Sequence, residues 1–250
     1  MGLKISEEEF RRIMESGKRV DGRAWDELRP IKIRIGVTER AEGSALFEMG
    51  KTRVLCVVRG PMECIPSHIA DPERAILDVA YRMATFSTEE RKSPTPSRRE
   101  IELSKIIREA LEPALFLEEY PRMMIKVYCL VLQADAGTRT ASINAASLAL
   151  AHAGIPMRDL VTSVAVGYCY GKIVVDLCSV EDELCADVPI AMMPSYRKIT
   201  LLQADHRLPI DRLPEILEIG TKAIDKIYQL QKRALREMYA TTTREITGGE

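Results

Sequence analysis

The stretch from Gln133 to Gly154, QADAGTRTASINAASLALAHAG, constrains the fold more than any other part of the sequence. It follows an apolar, β-branched run from Met124 to Leu132 that predicts a buried strand. Its second half, rich in Ala and Leu, predicts a helix that ends at Gly154. The order strand, Gly-bearing loop, helix directs free backbone N–H groups and the positive end of the helix dipole at the loop. With the guanidinium of Arg139, this predicts a site for a phosphate-sized anion, although an ordinary strand-to-helix turn has the same local pattern.

The other apolar patterns predict an α+β fold with mixed sheets. Alternating apolar residues from Ile31 to Val37 predict a strand with one buried face. Two hairpins are expected, one across Gly50-Lys51 and one across Gly171-Lys172. The predicted strands are 31–37, 43–49, 53–59, 124–132, 163–170, 173–178, 188–192 and 199–203. Because the strands come mostly in hairpins with helices between them, a strict βαβ alternation is not expected.

The two ends of the chain predict helices. Ser6 and Glu9 have the spacing of a capping box, which predicts a short helix that ends at Gly17 and packs as an arm on the surface. Pro209 and Asp211 open a long amphipathic helix, and the polar tail from Thr241 onward is expected to fray. We treat residues 1–250 as a single domain with a helical arm at about 4–17 and a C-terminal helix and tail at about 209–250.

A basic loop separates the first strands from a third helix. Periodicity does not decide between helix and strand from Asp71 to Phe86. The segment after it, FSTEERKSPTPSRRE, contains two prolines that exclude regular structure, and it ends in a capping box of Ser97 and Glu100. Arg98 and Arg99 fall in the first helical turn, where cations oppose the helix dipole. They are therefore either a solvated face or residues with a further use.

Composition limits the classes of function. The net charge is −1, so nucleic acid would have to be bound by a local patch. The six cysteines form no CxxC pair, which predicts reduced core thiols in a cytoplasmic protein and no zinc site. The acidic N-terminus is unlike a signal peptide, and no apolar run is long enough for a membrane span. His68, His152 and His206 lack metal-ligand spacing, and His152 is expected to pack or to lie on the surface.

Six long blocks of the sequence are more specific than a lone glycine motif. They are KRVDGR (18–23), GSALFEMGKT (43–52), FSTEERKSPTPSRREIELSK (86–105), LQADAGTRTASINAASLAL (132–150), AGIPMRDL (153–160) and DVPIAMMP (187–194). These blocks resemble the RNase PH family, most closely its archaeal exosome core subunit of the catalytic type, and they occur in the family's order. The resemblance covers the chain from about Gly17 to Tyr239.

The resemblance implies a fold, a reaction and partners. The fold is an RNase PH-like single domain of two βαβα-type halves, of the ribosomal protein S5 domain 2-like kind, with mixed sheets and packed helices. The reaction is 3′→5′ degradation of single-stranded RNA, in which inorganic phosphate is the co-substrate and nucleoside diphosphates are released. The reverse reaction adds nucleotides to the 3′ end. The partners are a related inactive subunit, which alternates with this one in a hexameric ring of three plus three, and RNA-binding cap subunits.

The same resemblance implies roles for individual residues. Gly137, Thr138 and Arg139 match the phosphate-binding turn, in which family members often have Ser at the position of Thr138. Asp182 matches the catalytic aspartate, as a general acid or as a ligand of Mg²⁺, and Asp187 matches a second acidic position associated with metal binding or site architecture. The positions implied in RNA binding are Arg98 and Arg99, with Arg91 and Lys92 in the same loop.

One departure and two alternatives accompany these expectations. The acidic loop SVEDELCAD has four residues between Asp182 and Asp187, where relatives usually have five. Asp187 could therefore point elsewhere, and Glu183 could compete for its role. The alternative functions are a catalytically silent ring subunit that only binds RNA, and a homo-hexameric enzyme that trims the 3′ end of tRNA. The presence of all the implied arginines and of Asp182 disfavours the silent subunit.

Overall fold

The computed structural model describes residues 5–205 and 208–247, with side chains through residue 240, so the expectation for His206 lies outside the described residues. Five strands form the first sheet, in the order β1-β2-β3-β5-β4. All neighbours in this sheet are antiparallel except β4 and β5, which are parallel. These strands are β1 (Ile31–Ile35), β2 (Gly43–Met49), β3 (Thr52–Glu63), β4 (Ile76–Met83) and β5 (Met123–Gln133).

A second sheet of four antiparallel strands has the order β7-β6-β8-β9. Its strands are β6 (Thr162–Cys169), β7 (Lys172–Val175), β8 (Ala186–Met193) and β9 (Lys198–Leu202). The helices are α1 (Glu7–Glu15), α2 (Arg98–Leu111), α3 (Thr138–His152), α4 (Ser179–Leu184) and α5 (Leu213–Thr247). The predicted α+β class with mixed sheets is confirmed.

Helix α3 is the central element of the core. Every residue from Thr140 to Leu150 is buried, as expected for a helix that is covered on all sides. It packs on β2, β3 and β5 of the first sheet and on β6 and β8 of the second. One continuous apolar core therefore joins both sheets through this helix, and the N-terminus of α3 is fixed where the sheets meet.

The structure decides the segment that periodicity left open. Residues Ile76–Met83 form β4, an edge strand that pairs with β5 in parallel. The two strands are joined through the basic loop and α2, because a parallel pair needs a long crossover connection. Helix α2 begins with the predicted capping box, in which Ser97 accepts from the Glu100 N–H and the Glu100 side chain accepts from the Ser97 N–H.

Three predictions about helices need correction. The acidic segment predicted as a loop contains α4, which is capped by Glu181 at its N-terminus. Helix α1 is more than a surface arm, because Phe10 and Met14 are fully buried in a small apolar cluster beside β6 and β7. Helix α5 continues through Thr247, beyond the expected end of regular structure near Thr241.

The prediction that all cysteines are reduced is also wrong. Cys169 at the end of β6 and Cys185 just before β8 form a disulfide with a Cα–Cα distance of 4.8 Å. Their spacing along the chain is 16 residues, so only the antiparallel pairing of β6 and β8 brings them together. The four other cysteines are free.

His152 at the end of α3 packs, as expected. Its Nδ1 accepts a hydrogen bond from the Ser44 N–H at 3.0 Å, and burial lowers its pKa. Among the described residues, no helix is long and apolar enough to cross a membrane.

We expect Gly43→Ala to reduce the free energy of unfolding by roughly 3 kcal/mol, the upper end of the usual cost of overpacking. A Cβ at Gly43 would lie 2.1 Å from the Ala149 carbonyl oxygen, because β2 approaches the α3 backbone there. Gly154→Ala is the matched control, since it adds the same methyl group in open space at a positive φ of 73°. The control should cost only about 1 kcal/mol. Urea unfolding measures both, and an equal loss in the two variants would contradict the packing argument.

Candidate active site

Parts of both sheets form one cleft, with a volume of about 250 Å³. Its walls are the end of β5, the first turn of α3, helix α4, the start of β8 and the basic loop before α2. The sequence-predicted residues that line it are Lys92, Arg99, Gly137, Thr138, Arg139, Asp182 and Asp187. The cleft thus collects predicted residues that are up to 95 positions apart in the chain, from Lys92 to Asp187.

The turn before α3 has the geometry of an anion cradle. Ala136 and Gly137 both have positive φ, 57° and 62°, and α3 has no side-chain cap at its N-terminus. The first backbone N–H groups of the helix are therefore available to a ligand. A Cβ at Gly137 would lie only 3.2 Å from Nη2 of Arg29, so this position favours glycine for space as well as for conformation.

Tyr81 of β4 orients the hydroxyl of Thr138. The Tyr81 hydroxyl donates to Thr138 Oγ1 at 2.9 Å. Burial raises the pKa of Tyr81 to about 12, so this donor stays protonated at neutral pH. Since Thr138 Oγ1 accepts from Tyr81, its own hydrogen can be donated to an anion in the cleft. The sequence analysis missed Tyr81 because periodicity did not place its segment in a strand.

Arg139 lies in the first turn of α3 and is almost buried, with 13% of its side chain exposed. Its Nη1 donates to Gln203 Oε1 at 2.5 Å, and its Nη2 lies 3.3 Å from Asp205 Oδ2. Both partners lie in the chain just after the end of β9. The sequence analysis missed them, since nothing local distinguishes these two side chains from an ordinary polar loop.

Only two of the four basic residues predicted to bind RNA line the cleft. Arg99 and Lys92 line the cleft. Arg98 and Arg91 are exposed side chains outside its lining. Successive residues of a helix point about 100° apart, so Arg98 and Arg99 leave the first turn of α2 in different directions. The four predicted RNA-binding positions therefore form two groups.

Asp182 on α4 and Asp187 on β8 face the same cleft. Burial raises the pKa of Asp182, against the attraction of Arg99 and Arg139. Burial and then the charge of Asp182 raise the pKa of Asp187 to about 7. Asp187 thus lines the cleft despite the short loop, whereas Glu183 is exposed and lies outside the cleft lining.

Buried arginines near the N-terminus hold this acidic wall in place. Arg19 donates to both carboxylate oxygens of Glu181, at 2.9 and 2.5 Å, next to Asp182. Arg29 donates to both oxygens of Asp176, at 3.0 and 2.7 Å, and also to the carbonyl oxygen of Asp135 in the anion cradle. The sequence analysis singled out KRVDGR only as a block of the resemblance and assigned it no role.

The carboxylates fit a cation that is shared with a substrate. In the part of the chain that the structure describes, no group of three histidine, cysteine or acidic side chains could hold a metal ion by itself. Asp187 Oδ1, however, is buried and has no hydrogen-bond partner. Mg²⁺ is usually bound by one or two carboxylates together with substrate phosphates, so Asp182 and Asp187 fit this kind of site.

We expect Asp187→Asn to change the pH dependence of stability. In the folded chain the pKa of Asp187 is raised to about 7. The neutral carboxyl therefore stabilises the folded state below the unfolded pKa, about 3.9, and this stability is lost as pH rises through the folded pKa. Relative to wild type, the variant should be similar near pH 4 and more stable near pH 8, by on the order of a few kcal/mol.

Urea unfolding at several pH values measures this difference. Asp211→Asn is the control, because Asp211 has 78% of its side chain exposed and lies outside the cleft lining. A constant difference between Asp187→Asn and wild type across this range would show that Asp187 does not titrate as the geometry implies.

The sequence is similar to those of archaeal proteins along nearly its whole length. It is 53% identical over 244 residues to "Exosome complex component Rrp41" of Thermococcus onnurineus, which covers 97% of this chain and 98% of that protein. It is 51% identical over 249 residues to the protein of the same name from Pyrococcus furiosus, and the match covers 99% of this chain and 100% of that protein.

Solved structures show the same fold at low identity. A chain of the Archaeoglobus fulgidus exosome with RNA bound to the active site matches with a TM-score of 0.75 and 23% identity, covering 92% of this chain and 96% of that one. Rice Rrp46 matches with a TM-score of 0.80 and 23% identity, and the match covers 87% of this chain and 100% of that one.

Two family models together match most of the chain, and the boundary between them falls between the two sheets. Domain 1 of the 3′ exoribonuclease family matches residues 27–156, which contain the first sheet and α3. Domain 2 matches residues 159–223, which contain the second sheet and α4. With the whole-length similarity to the archaeal proteins, these matches show that the chain belongs to the RNase PH family of 3′ exoribonucleases.

Proposed function

We propose that this chain is the catalytic-type subunit of an exosome-like ring, a 3′→5′ exoribonuclease that degrades single-stranded RNA with inorganic phosphate. The observation that carries the proposal is the cleft itself, where an anion cradle, three cationic side chains and two carboxyl groups of raised pKa meet. Family membership and the similarity to proteins named exosome complex component Rrp41 support it.

The reaction brings two anions together. An oxygen of inorganic phosphate attacks the phosphorus of the last phosphodiester, the bond from that phosphorus to the 3′ oxygen breaks, and a nucleoside diphosphate leaves. The shortened RNA takes up a proton on its 3′ oxygen. Arg139, the Thr138 hydroxyl and the N-terminus of α3 bind the attacking phosphate, and Arg99 with Lys92 neutralises the RNA phosphates. The reverse reaction adds nucleotides from diphosphates to a 3′ end.

The two carboxyl groups supply the proton. A general acid works best when its pKa is close to the working pH, and burial raises the pKa of both Asp182 and Asp187. Asp182 lies in reach of the charges of Arg99 and Arg139, which also hold the substrates. We therefore assign the protonation of the leaving 3′ oxygen to Asp182, with Asp187 as its proton-sharing neighbour.

A Mg²⁺ ion fits the same wall of the cleft and is the alternative to the proton donor. In their ionised forms, Asp182 and Asp187 would hold it together with substrate oxygens, and the ion would supply neutralisation of charge on the transferring phosphoryl group.

The proposed partners rest on the family resemblance, and two observations support an assembly: the relatives are named as components of an exosome complex, and the surface exposes apolar side chains. Single-stranded RNA is the substrate, a related inactive subunit alternates with this one in a ring of three plus three, and RNA-binding subunits form a cap. Large apolar side chains are exposed on β9 and just before it, at Tyr196, Ile199 and Leu202, where a neighbouring subunit can cover them. The proposed compartment is the cytoplasm. The disulfide between Cys169 and Cys185 is compatible with it, since intracellular proteins of hyperthermophilic archaea contain disulfides.

The direct test incubates the full chain, alone and with the related ring subunit, with 5′-labelled RNA. We expect stepwise shortening from the 3′ end and release of nucleoside diphosphates only when phosphate is present. Binding of RNA without shortening in both preparations would identify a silent subunit. A mass measurement with and without the partner separates the alternating ring from a homo-hexamer.

We expect Asp182→Asn to abolish diphosphate release while RNA affinity changes by less than about threefold, because the change removes a proton donor and leaves the cations in place. The measurement is a single-turnover assay with a parallel RNA-binding titration. Glu183→Gln is the matched control on the next residue, whose side chain is exposed, and it should retain wild-type rates. Normal turnover by Asp182→Asn would refute the assignment.

We expect Arg99→Ala to raise the KM for RNA by roughly 10- to 100-fold, because a hydrogen bond to a charged group contributes roughly 1.5–3 kcal/mol. Arg98→Ala removes the same charge from outside the cleft lining and should change it by about twofold or less. Steady-state kinetics at saturating phosphate measure both. Equal effects would mean that Arg98 also reaches the RNA, as it could through a neighbouring subunit.

A further inference from the structure

Arg139 is already engaged by two side chains of its own chain. Gln203 Oε1 accepts from Nη1 at 2.5 Å, and Asp205 Oδ2 lies 3.3 Å from Nη2. The Asp205 side chain is 53% exposed and Arg139 only 13%, so the more buried cation is paired with a more exposed carboxylate. A phosphate bound by Arg139 would share this guanidinium with the Asp205 carboxylate.

The backbone holds Asp205 in this position. Its N–H donates to the Asp187 carbonyl at 2.8 Å, which forms an isolated antiparallel bridge between the two residues. The Asp205 carboxylate therefore stays beside the cleft whether or not its side chain pairs with Arg139. Its negative charge also contributes to the raised pKa of Asp182 and Asp187.

Carboxylate and phosphate use the same part of a guanidinium. Its N–H groups form a planar fork that fits two oxygens of either anion. Each Nη carries two N–H groups, and Gln203 and Asp205 each take one of them, so the competition with phosphate acts chiefly through charge. Gln203 is neutral, whereas the Asp205 carboxylate already neutralises part of the guanidinium charge and repels the incoming anion.

We propose that Asp205 determines the affinity for inorganic phosphate by competing with it, as an internal anion, for the Arg139 guanidinium. This inference rests on the proposed function, because it takes Arg139 as the phosphate ligand. Asp205 sets the phosphate concentration at which the cradle fills, and it keeps the guanidinium paired when phosphate is absent. Asp205 changes the affinity for phosphate more than the affinity for RNA, because Arg99 on α2 and Lys92 on the basic loop bind the RNA.

The main test is Asp205→Asn, which keeps the size of the side chain and removes its charge. We expect the KM for phosphate to fall by about two- to fivefold, the range for a partly exposed ion pair. The kcat and the KM for RNA should change by less. Asp205→Glu keeps the charge and should stay near wild type, and Asp211→Asn is an acid-to-amide control outside the cleft lining.

Gln203→Glu provides a test in the opposite direction. It places a second negative charge 2.5 Å from Nη1 in the wild-type geometry, so the KM for phosphate should rise. If Asp205 only held Arg139 in place, Asp205→Asn would also raise the KM for phosphate. A rise or no change in Asp205→Asn would overturn the proposal.

Binding of inorganic phosphate without RNA separates this inference from the proposed function. A ligand that binds only the folded state raises the unfolding midpoint, and at one subsaturating phosphate concentration the rise should be larger in Asp205→Asn than in wild type. If this occurs without phosphate-dependent RNA shortening, the competition stands and the proposed reaction fails. If RNA is shortened normally and the two midpoint shifts are equal, the competition fails alone. No shift in either protein overturns the competition.

Discussion

The rest of the site depends on one buried carboxylate, Asp176, which has no exposed side-chain surface and lies just after β7. It accepts from the backbone N–H of Arg29 at 2.8 Å and from the Arg29 guanidinium. The same guanidinium donates to the turn that precedes α3. Since a buried charge that loses its partner costs several kcal/mol, this pair fixes the second sheet against the anion cradle of the first. Arg19 extends the contact to Glu181 and thereby holds α4.

The proposed reaction places two opposed electrostatic demands on the cleft. Binding phosphate and RNA would require positive charge, for which Arg99, Arg139 and the N-terminus of α3 are placed. Transfer of a proton would require a carboxyl group that keeps its proton near neutral pH, and burial raises the pKa of both Asp182 and Asp187. The cations come from α2 and α3 and the acids from α4 and β8. The disulfide between Cys169 and Cys185 ties the acidic wall to β6.

Most of the local structure could be predicted, and the reasons are specific. β2 was predicted with its observed bounds because the hairpin turn at Gly50 that follows it is a local signal. The capping box at Ser97 marked the start of α2 for the same reason. β4 could not be assigned, because its edge position and parallel pairing depend on β5, more than 40 residues away. α4 was missed because six residues are too few for a helical period to be distinguished from a loop.

The sequence by itself determined which kinds of chemistry are present. The Gly137 turn before a helix, the arginines of the basic loop and the acidic segment are all local patterns, and the family resemblance ordered them along the chain. Only the tertiary structure decided which members meet: Arg99 faces the cleft and Arg98 does not, Tyr81 orients Thr138, and Asp205 occupies Arg139. The physical reason is the distance along the chain over which each interaction acts. Backbone propensities and caps act over a few residues, whereas the charges and hydrogen bonds of the site join side chains more than 50 positions apart, which local patterns cannot encode.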